Sequence, residues 1–76
     1  MTVKVLDTVV LAEDLPHHDL KKGDLGAVVG VYSTDAIEVD FVTASGRTQA
    51  LVTLAMEQVR PVGPKDIFAV RRLDAS

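Results

Sequence analysis

The stretch KKGDLGAVVGVY, residues 21–32, joins a turn signal to the clearest strand in the chain. Gly23 and Asp24 form the turn, because glycine reaches positive φ without steric cost and aspartate hydrogen-bonds nearby backbone. Val28-Val29 and Val31-Tyr32 prefer a pleated surface, and Gly26 and Gly30 punctuate them, so the strand is expected to bend or bulge near Gly30. A turn leading into a curved strand is what a small closed or nearly closed sheet requires, since short strands share a core only when the sheet coils on itself. The expectation is a small β-barrel.

The rest of the chain sets the size of that barrel. Its 76 residues suffice for one domain, 47% of them hydrophobic and only 4% aromatic, so valine, leucine and alanine must fill the core. With no cysteine there is neither a disulfide framework nor a thiolate metal site. The net charge of −3 argues against the broad basic face that drives non-specific nucleic-acid binding. The opening MTVKVLD lacks the basic and apolar regions of a signal peptide, and no apolar run reaches the roughly 18 residues of a membrane span. A cytoplasmic protein without membrane contact is expected.

Upstream, the β-branched run around 6–12 reads as the first strand, with Val9 and Leu11 inward. Residues 13–20, EDLPHHDL, have the composition of a loop packed by its own Leu15 and Leu20, and Pro16 excludes a central strand there. Downstream, STDA (33–36) is a turn, and AIEVDFVT (36–43) alternates with Ile37, Val39 and Phe41 on one face and Glu38 and Asp40 toward solvent. ASGR (44–47) is a hairpin signal, TQALVTL (48–54) a fourth strand, AMEQ (55–58) a single tight turn, and VRPV (59–62) a short edge strand.

Strand, long loop, three hairpin-linked strands, single 3₁₀ turn and short strand is the order of a five-stranded SH3-like barrel, spanning residues 1–62. The pattern LDTVVL, DLP, KKGDLGAVVGVY, EVDF, GRTQALVTL and VRPV resembles a family of short, stand-alone bacterial proteins known only as a domain of unknown function. That resemblance covers residues 5–62 and implies a small barrel with no assigned activity. GDLGAVV also resembles the glycine-containing strand of the KOW motif of ribosomal and transcription-elongation proteins.

The tail, residues 63–76 (GPKDIFAVRRLDAS), breaks at Gly63-Pro64 and then regains apolar residues. As a helix it is capped by Asp66, with Ile67, Val70 and Leu73 on one stripe; as a strand it puts Phe68 and Val70 on one face. Ten or so residues hold neither form alone in water, so the tail is expected to dock on its own barrel or on another chain, giving a homo-oligomer in the second case.

Candidate chemistry is sparse. His17-His18-Asp19 lacks third and fourth metal ligands at usual spacing, and adjacent residues in extended chain point apart. The glycines at 23, 26 and 30 do not form a phosphate loop, because β-branched residues follow where a helix should start. Ser33, Ser45 and Ser76 lie in turns or at the terminus without a base-orienting partner. Tyr32 and Phe41, the barrel's only aromatics, do not make a groove for proline-rich peptides. No catalytic residue, metal or cofactor is therefore expected.

What remains is binding. The first expectation is a non-catalytic protein-interaction module that neutralises or scaffolds a basic partner protein. Glu13, Asp14, Glu38 and Asp40 would steer the partner, Phe68 would anchor it, and Arg71 and Arg72 would pair with acids of the barrel or the partner. The alternatives are a KOW-like nucleic-acid contact through Lys21, Lys22, Arg47 and Arg60, and an accessory barrel subunit of an enzyme complex.

Overall fold

Five antiparallel strands carry the chain: β1 (Thr8–Leu11), β2 (Leu25–Val31), β3 (Ala36–Val42), β4 (Thr48–Ala55) and β5 (Val59–Pro61). Short 3₁₀ turns lie at Pro16–His18, inside the long loop, and at Met56–Gln58, before β5. This computed structural model describes residues 3–73. Residues 1 and 2 of the expected barrel, and 74–76 of the expected tail with Ser76, lie outside the described residues.

The strands form one sheet in the order β4-β3-β2-β1-β5, so the all-β class and the element order are as expected. Hydrogen bonds do not close the sheet: among the described residues no ladder joins β4 to β5, its two ends. The inward residues are those of the alternating pattern. Val9, Leu11, Val28, Ile37 and Val39 are almost fully buried, with Phe41, Leu54 and Val59 beside them.

β1 is shorter than the sequence implies. Leu6 has φ +78°, and the Lys4 and Asp7 backbones close a turn that the Asp7 carboxylate reinforces by accepting the Lys4 N–H at 2.9 Å. The ladder therefore begins only at Thr8. Leu20 is buried in the core with Leu15 packed against it, as expected of the loop's leucines, and a reciprocal backbone pair between the two residues, which the sequence did not indicate, pins the loop. At Gly23, φ is +97°, and the Gly23 N–H returns to the Leu11 carbonyl at 2.8 Å, tying the entry of β2 to the end of β1.

The β2–β3 register runs Ala27↔Asp40, Val28↔Val39 and then Gly30↔Glu38, so Val29 is the extra residue of a bulge next to Gly30. A second shift, between Phe41 and Val42 against β4, has no counterpart in the sequence reading. Bulges raise local twist and bend the strand, which lets a narrow sheet curl over its own core.

Residues 63–73 form neither of the expected shapes: the tail is irregular chain held at two points. Asp66 caps no helix. Its N–H donates to the Gly63 carbonyl at 3.1 Å, its carboxylate accepts the Gly63 N–H at 2.6 Å, and both its oxygens accept from the Arg60 guanidinium at 2.8 and 2.9 Å. Further on, Arg71 grips Asp24 through two hydrogen bonds of 2.7 and 2.8 Å and donates to the Asp19 carbonyl at 3.0 Å. Between these anchors Ile67, Phe68 and Ala69 pass over Val10, which is only 6% exposed although it lies on the face of β1 opposite Val9. The tail thus packs on its own sheet.

Candidate functional site

The alternation of β3 puts Glu38 and Asp40 on the outer face of the sheet, and the register fixes their neighbours. Asp40 stands between Ala27 of β2 and Leu51 of β4, and Glu38 between Gly30 and Thr53. Both carboxylates are half-buried, where the sequence pattern puts them in open solvent. The reason is the apolar company they keep. Val29, Val42 and Leu51 are exposed large aliphatics of the same three strands, Leu51 at 55%. Asp40 Oδ1 is buried and has no hydrogen-bond partner among the described residues. At the end of β2, Tyr32 engages Glu38, which raises the tyrosine pKa above its ordinary 10.0, by hydrogen bonding first and then by desolvation and the carboxylate's charge.

The other two expected acids have structural employment. Glu13 accepts from the Gln58 side chain at 3.4 Å, and Asp14 accepts the Lys22 N–H at 2.8 Å, so each fastens the long loop to a different neighbour. They are not brought into the Glu38–Asp40 surface by any hydrogen bond of the described residues.

In the tail, Phe68 is 68% exposed beside Val10 and Leu25, with Ile67 and Val70 still more open. Arg71 and Arg72 line a cleft of about 460 Å³ between the tail and the sheet, floored by Leu20, Leu25 and Phe41. Burial acts to raise the Asp24 pKa, but the Arg71 hydrogen bond, the Lys21 N–H and the nearby positive charges outweigh it and hold the carboxyl below its ordinary 3.8. The Arg71–Asp24 pair joins the tail to the turn before β2.

Of the four cations in the nucleic-acid reading, Arg60 is engaged by Asp66, while Lys21, Lys22 and Arg47 are exposed in turns. His17 and His18 are exposed in the first 3₁₀ turn, and among the described residues no three potential ligands converge on a metal position. No helix of the described residues is long and apolar enough to cross a membrane.

Sequence reasoning missed the half-burial of Asp40 and the role of Asp66. A signal for the first was available: Leu51 is out of phase with the inward Val52 and Leu54, which puts an aliphatic side chain on the face that carries the acids.

These features define an acidic all-β domain whose outward sheet surface mixes carboxylates with exposed aliphatic side chains. The chain belongs to the family described as Domain of unknown function (DUF4926), whose model matches residues 5–61, from the turn before β1 to the last residue of β5. No curated protein and no solved structure matches it.

Proposed function

We propose that this domain is a non-catalytic, cytoplasmic protein-interaction module that holds a basic partner protein, neutralising it or fixing it within an assembly. The observation that carries the reading is the outer surface of β2, β3 and β4, where Glu38 and Asp40 rise among exposed Val29, Val42 and Leu51. Aliphatic side chains contribute the burial of a docking surface, and carboxylates among them select positive partners and speed encounter. The net charge of −3 acts in the same direction. The loop acids Glu13 and Asp14 and the tail residue Arg71 support the fold instead, since each is bonded within the chain.

The test is co-purification from the cells that make the protein, comparing Glu38→Lys with Asp40→Lys in one variant and Glu13→Lys with Asp14→Lys in another. The β3 reversal is expected to abolish capture of the partner and the loop reversal to leave most of it, with capture weakening as salt rises. Capture that survives the β3 reversal unchanged overturns the reading.

A further inference from the structure

The direction of the unpaired backbone groups on β4 follows from the register. The Met56 N–H donates to the Asp35 carbonyl at 3.0 Å, one step beyond the Ala36↔Ala55 pair. In an antiparallel ladder, hydrogen-bonded and non-bonded pairs alternate, so Leu54, Val52 and Ala50 also turn their N–H and C=O groups toward β3. Ala55, Thr53 and Leu51 turn theirs away. Ala55 confirms the phase, because its N–H is taken by the Gln58 side chain at 2.8 Å and not by β3. Leu51 and Thr53 therefore present backbone donors and acceptors at the open end of the sheet, and among the described residues no strand pairs with them.

The two ends of the sheet are treated differently. β5 has three residues, two of them Arg60 and Pro61, the kind of charge and missing donor that discourage strand pairing. β4 runs for eight residues, TQALVTLA, with neither charge nor proline.

We propose that the β4 edge receives an extended segment of the partner as an added strand, with arginine or lysine at every second position. This rests on the reading of the domain as a holder of basic proteins. Strand addition takes its affinity from main-chain hydrogen bonds and its specificity from alternate side chains. Partner residues opposite Leu51 and Thr53 project onto the outer face, in the rows that contain Asp40 and Glu38. With strands about 4.8 Å apart, those carboxylates lie about 10 Å from the added backbone, within reach of a long cationic side chain. Its stem covers Leu51 and its head meets the half-exposed carboxylate of Asp40. A second copy fits this edge poorly, because it brings another Glu38–Asp40 pair and another net charge of −3 to the same surface.

The experiment uses the full chain and a capped seven-residue peptide alternating valine and arginine, followed by amide exchange and ¹⁵N spectra. The peptide is expected to slow exchange at Leu51 and Thr53, to lose binding when the backbone nitrogens of its arginine residues are methylated, and to bind at least about tenfold more weakly to the Glu38→Gln, Asp40→Asn variant. Because the N-methyl control alters only the peptide, the result does not hinge on a variant's folding. Charge-dependent binding that tolerates N-methylation overturns strand addition and leaves the basic-partner reading standing. Equal binding of a glutamate-for-arginine peptide overturns both. No binding at millimolar peptide overturns the inference, as does protection of Leu51 and Thr53 that rises with protein concentration alone, which assigns the edge to a second copy.

Discussion

Gly26 and Gly30 share β2 and meet different surroundings. A Cβ on Gly26 collides with the Val39 side chain and comes within 2.9 Å of Phe41 Cε1, so the absence of a side chain is what lets both residues close over the strand. A Cβ on Gly30 makes only ordinary contact, 3.6 Å from Glu38 Cβ. Gly26→Ala is therefore expected to destabilise the fold by about 1–3 kcal/mol, as overpacking does. Gly30→Ala should stay within about 0.5 kcal/mol of the parent. Urea titration of the three proteins checks both, and equal losses would contradict the packing argument. In the sequence the two glycines read alike. The bulge beside Gly30 was legible because β-branched neighbours frame it, whereas the demand at Gly26 comes from Phe41 on another strand, and periodicity along one segment does not reveal which side chains face it across the sheet. The Oδ1 of Asp40 escaped for the same reason, since its surroundings are Ala27 and Leu51, contributed by two other strands.

Strands and turns were the legible elements, because alternation and turn residues act over a few positions, and all five strands fall where those signals lie. The tail was not legible. Its shape is set by polar anchors, one between Arg60 and Asp66 and one that joins Arg71 to Asp24 from the far side of the sequence. The first anchor has a pH signature. Hydrogen bonding from Arg60, then from the Gly63 N–H, lowers Asp66 from the ordinary 3.8 to about 2. A carboxyl depressed in the folded state stabilises it fully above its unfolded pKa and loses that contribution as pH falls through the folded one. The thermal midpoint of the parent should exceed that of Asp66→Asn by a constant margin from neutral pH to about 4, and the margin should vanish toward pH 2. A margin that persists unchanged at pH 2 would show that the ionised turn is not its source.

At the scale of the whole molecule, the buried apolar residues among those described lie between Val3 and Val59, so the tail contributes none of them. A chain ending at Val62 is expected to fold, to melt below the full chain because Val10 and the cleft floor lose their cover, and to be monomeric by light scattering, like the full chain. A dimeric full chain, with a monomeric truncation, would instead make Phe68 an association anchor. A domain this small buries only about 60% of its unfolded surface, so each covering segment counts.

The pairing of β1 with β5, Val9↔Pro61 through Leu11↔Val59, also orders events in time. β2, β3 and β4 meet their neighbours through short hairpins, and such local contacts form early, while a ladder between distant segments waits for a long loop to close. During synthesis from the N-terminus, β1 can find β2 but has nothing along its other side until residues 59–61 have left the ribosome. The first strand therefore stays half-paired until β5 is made, and its completion is timed by the three residues that close the family's span.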